Sequence, residues 1–484
     1  MIVVIADDLT GAAEVAGAAY DAGYRAEVQL EFDPCSSAQV IVVDADTRWR
    51  QPAEAAERLK HVMLTIGPPL PTLLFKKVDS VLRGPVLAEL NAMLAVSGRR
   101  RAILIPANPT RQRIIRHGQI WVAQQPLAQS ILGHDPEYPR TSSFIPDVLG
   151  CSTAEVTLLP NPRSLDRDTG VLVPDVSTTA DLQAWTRSID QDTLAVGGVE
   201  FFQAWLRCLG PGPDADLDAE TIMAAMPQTR LERDAFGPSP TATRNANLPG
   251  SRAPRETAMS NKNRLQERDA ATSPQSGSNP EPAASSIRKA NSDNSGLSNE
   301  GQAPSITQAG ACESRDAIPS VARTLFVCGS AAAWCLRREQ AKSAHLPVVT
   351  APEELFNPAR PIPFEPWLAT IASQWQTTQR LMIAIGDAPS SAPIAPRTLV
   401  TRFARLVVAV LQRFHVECLC LEGGATAAAV LQHEAANRFR VTHTFGPGIV
   451  ELTVPGRAGP RRIVKPGSYP WPDAVWHPDD YTTR

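Results

Sequence analysis

The N-terminal part of the chain repeats one pattern, in which a short apolar run is followed by a stretch with helical periodicity. A strand that alternates with a helix in this way pairs with parallel neighbours, and helices cover both faces of the resulting sheet. Since crossovers between parallel strands are right-handed, the pattern predicts a doubly wound α/β domain. The apolar runs lie at Ile2–Ala6, Val40–Asp44, Leu73–Lys76 and Ala102–Ile105.

The same alternation returns in the last third of the chain. A long amphipathic helix is predicted over Pro396–Phe414, and short apolar runs surround it. We therefore predict a second α/β domain, so that the fold class is α/β with two domains, each a mostly parallel sheet covered by helices. The runs of this half lie at Thr324–Cys328, Leu381–Ile385, Glu417–Leu421, Ile449–Val454 and Arg462–Val464.

A segment over residues 237–320 separates the two patterns. Ser, Asn, Pro, Thr, Gln, Arg and Glu dominate it, and large apolar side chains nearly vanish. Such a segment buries too little apolar surface to offset the entropy of ordering, so we predict that it is disordered. The predicted organisation is a domain over residues 1–236, this insertion, and a second domain over residues 321–484.

Charge and cysteine content exclude several classes of protein. The 47 basic and 50 acidic residues give a formal net charge of -3, which argues against a dedicated nucleic-acid binder. Asp7 and Asp8 end the first apolar run too early for a signal peptide, and no apolar stretch is long enough to span a bilayer. The cysteines form no CxxC pair, as expected of reduced thiols. We expect a cytoplasmic protein with small-molecule partners and no nucleic-acid or membrane partner, and a homodimer is compatible with this sequence.

Two adjacent carboxylates, Asp7 and Asp8, follow the first predicted strand. Ligands of open α/β sheets bind at the carboxyl ends of strands, where a carboxylate can orient a substrate hydroxyl and take its proton. One Asp could simply cap the helix that Thr10 and Gly11 open, but two exceed what a cap needs. We predict that at least one is functional, and the choice between them stays open. The adjacent spacing excludes the haloacid-dehalogenase phosphatase signature, which needs one residue between its two Asp residues.

Charged and polar side chains also follow the third and fourth strands. An Arg can bind a carboxylate through two parallel N–H bonds, so the cluster after the third strand is suited to an anionic ligand. The alternative is a solvated loop in which Asp79 caps the next helix. Because apolar strands lead into these residues, we favour a binding role for Lys76, Lys77, Asp79, Ser80, Arg83 and Gly84, and with a weaker signal for Asn108 and Arg113.

Glycines follow three predicted strands of the second half. Glycine lets a backbone approach a phosphate, and a helix N-terminus supplies N–H groups and a positive dipole. The alternative is a tight turn that needs glycine only for its backbone conformation. The sequence contains no GxxxxGK[ST], which excludes a P-loop kinase. The candidate phosphate-binding residues are Ser330 after Gly329, the run Gly423, Gly424, Ala425 and Thr426, and Gly467 in Lys465–Tyr469.

These motifs occur together in an order that resembles the four-carbon acid sugar kinases, the family of threonate, erythronate and oxo-tetronate kinases. The resemblance covers nearly the whole chain outside the insertion. It is carried by ADDLTGA at Ala6–Ala12, KKVDSVLRG at Lys76–Gly84, the stretches Pro106–Gly118 and Asp135–Ser143, EGGATA at Glu422–Ala427 and KPGSY at Lys465–Tyr469.

The resemblance implies that the N-terminal domain binds the sugar acid and the C-terminal domain binds ATP with Mg²⁺. The carboxylate of the acid would be held by Arg83 and the lysines, Asp8 or Asp7 would act on the terminal hydroxyl, and domain closure would exclude water. Ala425 and Pro470 depart from the family pattern. A non-catalytic sensor of sugar acids or nucleotides is therefore the alternative.

Overall fold

The computed structural model describes residues 1–135, 138–160, 165, 168–210, 323–329, 331–387, 394–467 and 469–476. These residues belong to one compact unit. The insertion predicted over residues 237–320 and the candidate Ser330 lie outside the described residues. The domain boundaries and the disorder of the insertion therefore stay predictions.

Short buried strands and the helices between them build the N-terminal half. The strand β1 and its neighbours β3 and β4 pair in parallel, as the apolar runs indicated. The strands are β1 Ile2–Ala6, β2 Ala26–Gln29, β3 Val40–Asp44, β4 Leu74–Lys77, β5 Arg101–Ile105, β6 Arg113–Arg116, β7 Gln119–Val122, β8 Gln125–Pro126, β9 Val156–Leu159, β10 Gly170–Pro174 and β11 Thr193–Gly197. The helices are α1 Leu9–Asp21, α2 Pro52–Ile66, α3 Val86–Ser97, α4 Ile145–Leu149, α5 Thr179–Thr186 and α6 Val199–Leu209.

The C-terminal half has the same construction with two antiparallel strands added. Its parallel strands include β12, β14, β15 and β18, and β16 and β17 run against their neighbours. The strands are β12 Thr324–Cys328, β13 Val348–Thr350, β14 Arg380–Ala384, β15 Cys418–Glu422, β16 Arg438–Thr444, β17 Val450–Thr453 and β18 Arg461–Lys465. The helices are α7 Ala331–Ser343, α8 Phe364–Gln374, α9 Pro396–Arg413, α10 Gly424–Leu431 and α11 Asp473–Trp476.

The sheets of the two halves join edge to edge. Within the described residues, 15 strands form one sheet in the order β13-β14-β12-β15-β18-β17-β16-β2-β3-β1-β4-β11-β5-β10-β9, and β6, β7 and β8 form a small separate sheet. The α/β class and the mostly parallel sheets are confirmed. The shared edge was not predicted, because β2 is short and pairs with a strand about 400 residues away in the sequence.

The junction between the halves is the antiparallel pair of β2 and β16, with Val28 opposite Phe439. Arg438 adds an ion pair, its Nε lying 3.0 Å from an oxygen of the buried Glu27. Pairing these strands satisfies N–H and C=O groups that two separate sheet edges would leave open. The halves are therefore held together by a hydrogen-bonded ladder.

Helix α1 packs against both halves at this junction. A Cβ atom placed on Gly17 would lie 2.6 Å from Val450 Cγ1 in β17, so only glycine fits there. Tyr20 donates its hydroxyl to the carbonyl oxygen of Thr442 at 2.8 Å. Because both halves hold α1, its N-terminus has a fixed position next to the C-terminal half. In the described ranges, no helix has both the length and the apolar character that crossing a bilayer requires.

Candidate functional site

Asp8 lies at the carboxyl end of β1 and is both a helix cap and an ion-pair partner. Its Oδ1 accepts from the backbone N–H of Gly11 at 2.8 Å, which caps α1. The same carboxylate accepts from the Thr10 hydroxyl at 2.5 Å and from the two terminal nitrogens of Arg48 at 2.5 and 2.8 Å. The capping interpretation and a chemical role are therefore compatible at Asp8.

Asp7 is the more buried of the two carboxylates, with 2% of its surface exposed. Its Oδ2 accepts from Arg48 Nε at 2.8 Å, and its buried Oδ1 has no hydrogen-bond partner among the described residues. Burial alone would raise the pKa of Asp7, but the positive charges of Arg48, Lys76 and Lys77 outweigh it and lower the pKa. Both adjacent carboxylates thus share one guanidinium.

Arg48 was not among the residues that sequence reasoning selected. It follows β3, which pairs in parallel with β1, so the parallel register brings it beside Asp7 and Asp8. The signal in the sequence was the position of a polar stretch after a buried strand, which also marked the other candidates. Its backbone oxygen accepts from the hydroxyl of Tyr138, which ties the loop down further.

The start of α10 faces the start of α1. A Cβ atom on Gly424 would lie 2.8 Å from Thr10 Oγ1 and 3.0 Å from Asp8 Oδ2. Gly423 before it has a left-handed φ of +94° and open space where a side chain would be, and no side chain caps the first turn of α10. The N–H groups of this turn are thus placed for an anion beside Asp8.

Two of the three glycine-bearing strand ends adjoin. A Cβ atom on Gly329, after β12, would overlap the side chain of Thr426, so the end of β12 touches the first turn of α10. Thr426 itself is buried, and Ala425 beside it is exposed. Since Ser330 lies outside the described residues, its predicted contact with ATP stays a prediction.

Gly467 belongs to a loop that a buried ion-pair network holds. Lys465, at the end of β18, lies 3.0 Å from a carboxylate oxygen of Glu422 and donates to the carbonyl oxygens of Pro466 and Tyr469 at 2.8 and 2.6 Å. Arg337 Nε donates to the same carboxylate at 2.8 Å. Burial lowers the pKa of Lys465 to about 8, although Glu422 opposes this shift.

Lys76 and Lys77 each form an ion pair with a carboxylate of the N-terminal half. Lys76 is fully buried and its Nζ lies 3.2 Å from Glu89. Lys77 lies 3.3 Å from Glu14 and donates to the carbonyl oxygen of Val78 at 3.1 Å. Burial raises the pKa of Glu89 in spite of the nearby Lys76. Both lysines are thus already paired with carboxylates.

Arg83 also has carboxylate partners, and two of them. Its Nη2 lies 2.8 Å from Asp79 Oδ1, and its Nη1 lies 3.0 Å from Asp135 Oδ2. Burial would raise the pKa of Asp79, but Arg83 and Arg48 hold it well below its usual range. Gly84 has a φ of +90°, and a Cβ atom there would lie 3.1 Å from the Arg48 carbonyl oxygen, so this position requires glycine.

Asn108 and Arg113 occupy the two ends of a tight loop after β5. The Asn108 Oδ1 accepts from the backbone N–H of Glu200 at 3.3 Å, where α6 begins. Arg113 donates to the hydroxyl of Ser80 at 2.5 Å. Within the described part of the chain, no carboxylate lies within ion-pair distance of Arg113. The structure thus brings Ser80 and Arg113 together and gives Asn108 a capping contact.

Arg111 and Tyr469 connect the halves, and neither was among the individual residues selected from the sequence, although both lie in stretches that carry the resemblance. Arg111 Nη1 lies 2.8 Å from Glu14 and contacts the Tyr469 hydroxyl, while its guanidinium stands 5.1 Å from the centre of the Tyr469 ring. Burial and the charge of Glu14 raise the pKa of Tyr469. The loop after β18 is therefore bound to the N-terminal half at this point.

Asp44 is a further titratable group that sequence reasoning did not select. It ends β3, is 3% exposed and accepts from the backbone N–H of Asp46 at 3.0 Å. Burial, with Asp46 and Asp8 nearby, raises the pKa of Asp44 to about 8, so the carboxyl is mostly neutral at pH 7. Among the residues that the structure describes, no cluster of three or more His, Cys, Asp or Glu is arranged to hold a metal ion.

Comparison with known proteins places the N-terminal half in a defined family. Residues 2–203 match the family model of the sugar-binding N-terminal domain. A D-threonate kinase of Bordetella bronchiseptica is 32% identical over 198 residues, which is 38% of this chain and 49% of that protein. A D-erythronate kinase of Heliobacterium modesticaldum is 29% identical over 256 residues, which is 48% of this chain and 58% of that protein.

The chain thus spans about half the length of these curated relatives. A solved structure of a Haemophilus influenzae protein of the DUF1537 family covers 98% of both chains with a TM-score of 0.55. At 14% identity this likeness shows the shared fold alone. The domain match and the kinase relatives confirm the resemblance that the motifs indicated: residues 2–203 belong to the family of the sugar-binding N-terminal domain, and the chain is similar to kinases of four-carbon sugar acids.

Proposed function

We propose that the protein is an ATP-dependent kinase that phosphorylates the terminal hydroxyl of a four-carbon sugar acid. The observation that carries this proposal is the contact between the starts of two helices, with Asp8 and Thr10 against Gly424. A carboxylate that can orient a hydroxyl there faces N–H groups that can bind a phosphate. The names of the relatives, D-threonate and D-erythronate kinase, support the substrate class.

Asp8, rather than Asp7, is the better candidate for contact with the acceptor hydroxyl. The Asp8 side chain is 13% exposed and the Asp7 side chain 2%. An orienting carboxylate suits phosphoryl transfer, because its loose transition state needs alignment and charge neutralisation more than early proton removal. Asp7 would act indirectly, by holding Arg48 against Asp8.

The nucleotide would bind to the C-terminal half, at the start of α10. The first turn of α10, with Gly424, Ala425 and Thr426, offers uncapped N–H groups to its phosphates. The loop that contains Gly467 is fixed by Lys465 and lies beside this turn through the network on Glu422. Mg²⁺ would enter as part of the nucleotide substrate and neutralise phosphate charge.

A cytoplasmic location belongs to the same proposal. The cysteines of the described residues are all free, as in a reducing compartment. A cytoplasm also supplies the ATP that the reaction consumes. The homodimer stays a prediction.

Release of ADP from ATP and Mg²⁺ in the presence of single sugar acids tests the function. Threonates, erythronates and their 2- and 3-oxo forms are the acids to compare, with Asp8→Asn as the control. We expect turnover with at least one acid and loss of turnover in the variant. Binding of an acid without ADP release would indicate the sensor alternative.

A further inference from the structure

The cations near the start of α1 and in the turn after β4 differ in how completely carboxylates already neutralise them. Arg48 pairs with Asp7 and Asp8, and Lys76 pairs with Glu89. Lys77 and Arg111 both pair with Glu14, at 3.3 and 2.8 Å. A substrate carboxylate that approached one of these groups would meet an existing negative charge beside it. Electrostatics therefore disfavours these cations as the primary carboxylate site.

Arg83, the residue that the resemblance assigned to the sugar-acid carboxylate, is neutralised most. Its guanidinium donates to Asp79 through Nε and Nη2 at 3.1 and 2.8 Å and to Asp135 through Nη1 at 3.0 Å. Carboxylate oxygens thus already accept from Nε and from both terminal nitrogens of Arg83. Its backbone N–H also donates to Asp79 at 3.2 Å, so the pair closes the turn between β4 and α3. These contacts suit a structural role for Arg83.

Arg113 differs from the five cations named above, because its side-chain partner is a neutral hydroxyl. It donates from Nη1 to Ser80 Oγ at 2.5 Å, and the guanidinium has further donors in the same plane. Ser80 is itself 8% exposed and lies in the same turn as Asp79. The hydrogen bond to Ser80 thus fixes the orientation of the guanidinium, which has no ion-pair partner among the described residues.

The backbone that carries Arg113 is also fixed. Its N–H donates to the Asn108 carbonyl oxygen at 3.1 Å and its carbonyl accepts from the Asn108 N–H at 2.8 Å. Asn108 is in turn anchored at the start of α6. Arg111, two residues before Arg113, contacts the Tyr469 hydroxyl, and the charge of Arg113 also acts on this phenol, so Arg113 lies on the side of the N-terminal half that meets the loop after β18. Little ordering entropy then remains to be lost when an anion binds.

We propose that Arg113, oriented by Ser80, binds the carboxylate of the acceptor substrate, while Arg83 stabilises the turn that presents Ser80. This assignment rests on the proposed function, since it names the residue that recognises the acid. The planar guanidinium can donate two parallel N–H bonds to a carboxylate, so it selects an acid over a neutral polyol of the same length.

Calorimetric titration of each ligand alone tests the assignment without turnover. D-threonate and D-erythronate are titrated into wild type, Arg113→Gln, Arg113→Lys and Arg83→Gln, and ATP with Mg²⁺ is titrated separately. For Arg113→Gln we expect the Kd of the bound acid to rise about 10- to 100-fold, the loss expected for charged hydrogen bonds. The Kd of ATP should stay within about twofold, and Arg113→Lys should recover part of the affinity for the acid.

Arg83→Gln gives the contrasting result. We expect a lower unfolding temperature and a smaller change in the Kd of the acid than in Arg113→Gln. An unchanged Kd of the acid in Arg113→Gln, or a selective loss of the acid in Arg83→Gln alone, overturns the assignment. If the wild type binds neither acid, the assignment falls with the substrate class. If it binds an acid that Arg113→Gln releases, but forms no ADP, the assignment stands and the kinase proposal fails.

Discussion

Gly424 lies so close to Asp8 that a Cβ atom at position 424 would stand 3.0 Å from the carboxylate oxygen Oδ2. The two residues belong to different halves of the molecule, and this contact is where the helices α1 and α10 begin. A ligand that contacts both helix starts is therefore held by both halves at once.

Replacement of Gly424 by Ala should therefore reduce turnover strongly. The added methyl group would push against Thr10 and Asp8 and displace the first turn of α10. We expect kcat/KM to fall about 100-fold or more, since small displacements of reacting groups have large effects. Steady-state ADP release measures this. Gly459→Ala is the matched control, because its Cβ would meet only Arg462 Nη2 at 3.6 Å. Equal activities in the two variants would contradict the role of this contact.

Substitutions of the two adjacent carboxylates, Asp7 and Asp8, should have different effects. Asp8→Asn is expected to lower kcat by about 10²- to 10⁴-fold with little change in unfolding temperature, because an amide can still cap α1. Asp7→Asn removes the buried negative charge that pairs with Arg48 and should lower the free energy of unfolding by about 3 kcal/mol. Urea denaturation and ADP release, measured on both variants, decide the matter. A reversed pattern would make Asp7 the residue at the acceptor hydroxyl.

Asp44 should make stability fall as the pH rises. The pKa of its carboxyl is about 8 in the folded protein and about 3.9 in an unfolded chain. The native state therefore binds more protons between these values, and the contribution of Asp44 to stability is lost as pH increases from about 4 to 8. Asp44→Asn, which cannot ionise beside Asp46, Asp8 and Asp7, should lack this slope. Parallel curves of unfolding free energy against pH for wild type and variant would contradict the prediction.

Lys465 should affect the nucleotide and not the acid. Lys465→Met removes two hydrogen bonds to the loop of residues 466–469, while Glu422 keeps Arg337 as a partner. We expect the Kd of ATP to rise about tenfold, because the loop loses two charged hydrogen bonds that hold it in place, and the Kd of the acid to stay unchanged. Arg338→Met, at a half-exposed arginine on α7, is the control. An equal rise in the Kd of ATP and of the acid would instead indicate a general loss of structure at the site.

The apolar and polar pattern of the sequence predicted those strands and helices whose formation depends mainly on neighbouring residues. The strand β1 was predicted at its observed bounds, because a fully apolar run stops at two aspartates, and Asp8 caps the helix that follows. The strands β2 and β16 were missed. Each is short or half polar, and their stability comes from pairing with one another across a long stretch of sequence.

The candidate site shows the same division. Asp8 and Gly424 could be selected because strand ends and glycines are visible in the sequence. The role of Arg48 could not, since it depends on the parallel pairing of β1 with β3. The partners of Arg83 were likewise hidden, because Asp135 lies 52 residues away from it in the chain. Whether a charged side chain has an ion-pair partner depends on the folded structure.

The ladder between β2 and β16 fixes the position of one half relative to the other, and with it the distance between the proposed donor and acceptor sites. Register along a strand changes in steps of about 3.3 Å per residue, which is comparable to the separation of reacting atoms at the moment of transfer. A slip of even one pairing would carry acceptor and donor out of range and turn every side chain of β16 to the opposite face. Closure of rigid halves would have to bend this ladder. Backbone pairing thus fixes the spacing of the proposed donor and acceptor sites. Side chains such as Arg113 can therefore change the preference for an acceptor without changing that spacing.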